Sequence, residues 1–265
     1  MAQEQRVFYI TTPKPQEQIH ARVVSAGDTT PFVFFLHQWP LSSRQFERTI
    51  AKVGQHAQAW GLDAPGYGMS PSTLTQQDFP EYARRHIEAI DALGAKRFVL
   101  VGAEIGVGIA AEIIRQAPGR ATHLIAFATP PAEPAGHKAY MAELGEPSPV
   151  QDGSHVQEMW QRLERRFGPE REQMRLVFTE AFNIYSRYHW GLTAYKDYDL
   201  AAGLKGIDCP TLFVSADQDA MAKHAPAAAA LVKGAQHVTL PGKPFLPWND
   251  PDAAAKAILG FTGIR

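Results

Sequence analysis

The chain has 265 residues, 45% of them hydrophobic and 20% charged, with a formal net charge of −1, enough to bury a full core in one α/β unit carrying an inserted segment. That near-neutral balance gives no sign of the basic face on which binding to nucleic acid or an anionic membrane usually depends, and no apolar run approaches the about 20 residues needed to cross a bilayer. The opening MAQEQRVFYI has neither a basic leader nor a long apolar segment, so a cytoplasmic protein without nucleic-acid or membrane partners is expected.

Residues 6–10 and 18–24 are rich in β-branched and aromatic side chains and flank Pro13-Lys14-Pro15, which predicts an antiparallel pair of strands. Residues 31–36, PFVFFL, read as a strand buried on both faces and end in His37-Gln38-Trp39-Pro40. Ser42 or Ser43 then caps a helix to about Val53, with Phe46 and Ile50 on its inner face. A strand over 58–62 runs into Asp63-Ala-Pro-Gly-Tyr-Gly-Met-Ser70, and Asp78 opens a helix to about Leu93, stopped by Gly94.

At the centre lies RFVLVGAEIGVGIAAEIIR, residues 97–115. Phe98 to Val101 form a short continuous apolar run, and Ile105, Ile109, Ile113 and Ile114 then recur at helical spacing. The pattern is strand, sharp turn, helix, with Gly102-Ala103-Glu104-Ile105-Gly106 as the turn.

After Gly119, residues 123–128 give another buried strand, closed by Pro130-Pro131. From 132 to 203 no strand signal occurs, while 154–167, 170–188 and a shorter stretch before Leu200 have helical spacing. Most aromatics of this interval are expected in the core, with Tyr185 and Trp190 assigned to a pocket wall. Strands follow at 211–215 and 236–240, the first leading into Asp217 and Asp219, and a helix at 251–261 ends the pattern. Strands alternating with helices imply a mostly parallel sheet. Cys209, the single cysteine, precedes Pro210 at a strand entry, so no internal disulfide forms and a structural role is expected.

Gly102 to Gly106 resembles the nucleophile elbow, G-x-Nuc-x-G, of the α/β-hydrolase family, and the turn from Asp63 to Ser70 matches that family's D-x-P-G-x-G-x-S. The resemblance implies an eight-stranded, mostly parallel sheet with flanking helices, a core of residues 1–131 and 204–265, and a helical cap over 132–203. It also implies an oxyanion hole from the N–H groups of Trp39 and Ile105, with Gln38 standing where the family usually has Gly. Asp219 falls at the place of the triad acid. Two departures stand out. Glu104 occupies the nucleophile position, and Pro244, preceded by Lys243, occupies that of the triad His.

Ser-type hydrolysis therefore lacks both its hydroxyl and its imidazole. Glu104 has three open roles: a carboxylate nucleophile, with His37 or His237 as the base; a general acid or base in a lyase or isomerase reaction; or a plug paired with Lys243 or the oxyanion N–H groups. A Glu in the first turn of a helix is favoured by ~0.3–1 kcal/mol through the helix dipole alone. The favoured expectation is a cofactor-independent enzyme acting on a small apolar organic substrate through Glu104, Asp219 and His37. The alternative is an inactive ligand- or partner-binding protein. No ligand spacing for a metal is visible, and a homodimer is compatible with the sequence.

Overall fold

The computed structural model describes residues 4–12, 18–71, 75–144 and 150–265; the expected Pro13-Lys14-Pro15 turn lies outside them. Strands β1 (Arg6–Ile10), β2 (Ile19–Ser25), β3 (Phe32–Leu36), β4 (Gln58–Leu62), β5 (Phe98–Ala103), β6 (Ala121–Phe127), β7 (Thr211–Ala216) and β8 (Gln236–Leu240) form one sheet in the order β1-β2-β4-β3-β5-β6-β7-β8. The β1–β2 and β2–β4 pairings are antiparallel and the others parallel, as the alternation of strands and helices predicts.

The helices of the framework are α1 (Glu47–Val53), α2 (Phe79–Ala92) and α3 (Ile105–Gln116). Between β6 and β7 the described elements are helical: α4 (Pro134–Leu144), α5 (Ser154–Phe167), α6 (Arg171–Asn183), α7 (Tyr188–Lys196) and α8 (Leu200–Lys205). Helices α9 (Ala225–Ala230), α10 (Leu246–Asn249) and α11 (Pro251–Thr262) complete the chain. Side chains alternate across each strand. Val33 and Phe35 therefore join a core with Val99, Ile50 and Ile258 under α1 and α11. Phe34 and Leu36 join another with Leu100, Tyr82, Ile109 and Ile113 under α2 and α3, and this second core continues into Met159, Leu163 and Leu192 of α5 and α7.

Within residues 132–203 two helical features depart from expectation. The single helix over 170–188 is divided, with a 3-10 turn at Tyr185–Arg187 between α6 and α7. Helix α4 was not foreseen, because Pro134 and Gly136 fall in its first turn and its apolar residues do not gather on one face.

Buried hydrogen bonds explain the Asp63 turn. The Asp63 carboxylate accepts from Ser43 N–H at 2.7 Å and Met69 N–H at 3.0 Å and lies 2.8 Å from His20 Nδ1, while the Ser70 hydroxyl donates to the Asp63 carbonyl at 2.7 Å. Gly68 has φ +53°, and a Cβ there would collide with the Asp63 carboxylate and Ser42, so the motif requires glycine at this close approach. Parallel register then brings the carboxyl ends of four strands to one rim, with Leu36 beside Gly102, Ala103 beside Phe127, and Phe127 beside Val214. Ligands of open α/β sheets bind at such a rim.

Candidate active site

Glu104 sits between β5 and α3 with φ 50° and ψ −115°. A non-glycine residue held there stores about 1–3 kcal/mol of strain, a conformation that clusters at functional sites. Gly106 permits it, because a Cβ at that position would strike the Leu36 carbonyl on the neighbouring strand. The elbow is thus a consequence of β3, β5 and α3 packing backbone to backbone.

The Glu104 side chain is 1% exposed. Its Oε1 accepts from the Tyr140 hydroxyl of α4 and from the Arg166 guanidinium of α5, and Arg166 also donates to the Tyr140 oxygen at 3.2 Å. Oε2 is buried and has no hydrogen-bond partner among the described residues. Burial, reinforced by Asp219, raises the Glu104 pKa above the ordinary carboxyl value, while Arg166 and Tyr140 pull it down without cancelling the rise. Burial works against the charge on Arg166, but Glu104, Tyr140, Asp219 and Tyr188 together outweigh it and keep the guanidinium protonated.

Tyr140 and Arg166 separate Glu104 from a cleft of about 300 Å³ whose wall includes Arg162, Arg165, Phe167, Asp219, Pro244 and Phe245. The expected chamber was apolar; this one combines rings with three arginines. Sequence reasoning missed Tyr140, which lies on the unforeseen α4. Arg166 was legible in principle, since Arg162, Arg165 and Arg166 share one face of α5 by their spacing.

His37 does not approach Glu104 as a base. Its Nε2 accepts from Ala64 N–H at 2.9 Å, leaving Nδ1 to donate to the Gln38 carbonyl at 3.0 Å, so both nitrogens are committed to backbone. Burial, outweighing nearby Asp63, lowers its pKa and keeps the ring neutral. His237 is the second residue of β8, toward the amino end of that strand and away from the rim. Asp219 lines the cleft and caps the following turn by accepting from Met221 N–H at 2.9 Å. Asp217 instead accepts from Gly242 N–H at 2.9 Å.

Lys243 is exposed and pairs with Glu170 rather than Glu104. Pro244 and Phe245 stand at the cleft where the sequence resemblance would place an imidazole. Gln38 also lines the cleft, and its backbone lies outside the positive-φ region; its N–H donates to Gln45 Oε1 at 2.7 Å. Among the described residues the N–H groups of Trp39 and Ile105 have no protein acceptor, and the Trp39 indole donates to the Tyr188 carbonyl at 2.7 Å. Tyr185 and Trp190 do not join the cleft wall. Tyr185 packs on Phe182 and His155, with ring centroids 5.7 and 5.2 Å away. Trp190 lies on α7, whose Gly191 and Tyr188 pack against Trp39. The aromatic wall belongs instead to Tyr140, Phe167 and Phe245. Among the described residues no group of three or more His, Cys, Asp or Glu is placed to hold a metal ion.

A family model described as alpha/beta hydrolase fold matches residues 31–251. The AB hydrolase superfamily protein YisY of Bacillus subtilis (strain 168) is 26% identical over 225 residues, covering 79% of this chain and 81% of that protein. A non-heme haloperoxidase of Rhodococcus erythropolis is 25% identical over 231 residues, covering 79% and 84%. Among solved structures, a hydrolase from Pseudomonas aeruginosa PA01 superposes with a TM-score of 0.79 at 20% identity, covering 97% of this chain and 98% of that one. The elbow geometry, the sheet order and these matches lead to one assignment: the chain belongs to the alpha/beta hydrolase fold family.

Proposed function

We propose that the protein is an enzyme in which Glu104 transfers a proton to or from a small organic substrate, with residues 132–203 acting as a cap over a core of 1–131 and 204–265. The observation that carries this reading is the unequal treatment of the Glu104 oxygens. Oε1 is anchored by Tyr140 and Arg166, whereas Oε2 is buried and has no partner among the described residues, as a proton acceptor held ready for a substrate would be. The Trp39 and Ile105 N–H groups would hold a substrate carbonyl whose charge grows as the proton moves. Asp219 acts from the cleft wall through its charge, helping to keep Glu104 basic.

Nucleophilic attack by Glu104 is less well supported. An ester on its carboxylate would need a water activated by a base, and His37 is committed to backbone. The experiment is solvent exchange: lactones and enolisable ketones are incubated in D2O with wild type and with Glu104→Gln. Enzyme-dependent turnover or deuterium entry at carbon that disappears in the variant supports proton transfer. A covalent adduct on the Glu104 peptide, seen by mass spectrometry, contradicts it.

The second reading is a ligand-binding protein without turnover. Its support is that Tyr140 and Arg166 cover a carboxylate that is 1% exposed. It predicts saturable ligand-induced stabilisation together with no reaction across esters, epoxides, lactones and ketones.

A further inference from the structure

Helix α5 carries Arg162, Arg165 and Arg166 at i, i+3 and i+4, and all three line the cleft above Glu104. Arg166 is engaged by Glu104. Arg165 is exposed and has no ion-pair partner among the described residues. Against these cations the wall sets one carboxylate, Asp219, with Glu104 beneath it. The remaining surface includes the rings of Tyr140, Phe167 and Phe245. A helix C-terminus favours cations by ~0.3–1 kcal/mol, which accounts for basic residues in the last turn of α5. Arg162, one turn earlier on the same face, lies outside that effect; it hydrogen-bonds Tyr188, and a guanidinium with five N–H donors has others to offer the cleft that it lines.

We propose that this cleft takes a small organic carboxylate with an aromatic or unsaturated body, its anionic group docked on Arg165 and Arg162 and its body against Phe167 and Phe245. A guanidinium fork matches a carboxylate edge with two parallel N–H donors, which a neutral ligand of the same shape cannot use. About 300 Å³ is the small end of ligand pockets, so the occupant is a compact molecule. Anchored at the arginines, its body lies toward Tyr140 and Arg166, the two groups that cover Glu104. The inference names the substrate class of the Glu104 site and rests on that reading for its catalytic meaning.

The test is calorimetric titration at pH 7 and low salt with benzoate, its neutral isostere benzamide and the cation benzylamine. Wild type is expected to bind benzoate at least about tenfold more tightly than benzamide, and benzylamine not at all. Arg165→Gln, an exposed position where folding is not at risk, weakens benzoate by about tenfold and leaves benzamide unchanged. Adding Arg162→Gln removes the remaining preference. Equal affinity for benzoate and benzamide, no saturable benzoate binding, or benzoate binding indifferent to both substitutions overturns the inference. Glu104→Gln separates the two claims. If turnover survives that substitution while benzoate selectivity holds, the catalytic reading falls and the anion site stands; turnover lost with no preference for benzoate gives the reverse.

Discussion

Glu104 is set between opposing influences, and its pH behaviour follows from their signs. Burial, the larger influence, raises its folded pKa above the ordinary 4.5, so the folded state keeps a proton that the unfolded chain has already released. Its contribution to stability is therefore complete below 4.5 and is lost as pH rises through the folded value. Arg166 opposes the rise, which makes Arg166→Gln informative. Without the guanidinium the carboxyl pKa climbs further, so the ascending limb of kcat/KM moves to higher pH and activity at pH 6 falls more than at pH 8. A limb that stays in place would detach Arg166 from the titration. Glu104 itself was legible in the sequence because two glycines frame it. Tyr140 was not, and Arg166 was legible only as one of three arginines on a face of α5; that both meet Glu104 is set by packing between distant helices rather than by a local motif.

At the scale of elements, the elbow depends on the close approach of α3 to β3. Gly106→Ala places a methyl group against the Leu36 carbonyl, which neither strand nor helix can yield without losing register. The expected loss is about 3 kcal/mol of unfolding free energy, measured by urea denaturation, together with loss of activity as Glu104 and the Ile105 N–H shift. Stability and activity near wild type would show that the strand and helix are not locked at that point. The elements that carry turn chemistry were readable: the strand, elbow and α3 run from glycine placement and apolar period, and Asp78 caps α2 by accepting from Glu81 N–H at 2.8 Å. Helix α4 was hidden because its sequence has neither a clear apolar face nor a clean start. The assignment of Tyr185 and Trp190 to the cleft failed for a related reason: aromatic content in a helical stretch does not say which face meets which neighbour.

Across the whole molecule, the parallel sheet and its motifs were evident from sequence, while the balance of buried charge was not. His86 is buried in the second core with Nδ1 2.7 Å from the Tyr82 carbonyl, and burial lowers its pKa from 6.5 to about 4. Between those values the unfolded chain binds a proton that the folded state refuses, so this contribution to stability is present above 6.5 and is lost as pH falls toward 4. The loss amounts to about 3 kcal/mol, and His37 adds to it in the same direction. Urea denaturation at pH 7 and pH 4.5 should show this decline, and His86→Gln should reduce it; an unchanged slope would mean that His86 titrates normally.

The central claim is that a carboxylate at the elbow performs the chemistry. Steady-state turnover and Tm of Glu104→Gln, compared with wild type on a substrate found by the solvent-exchange screen, test it most directly. The account predicts a fall in kcat of at least about 100-fold with Tm changed by only a few degrees. Turnover within a few-fold of wild type would contradict it.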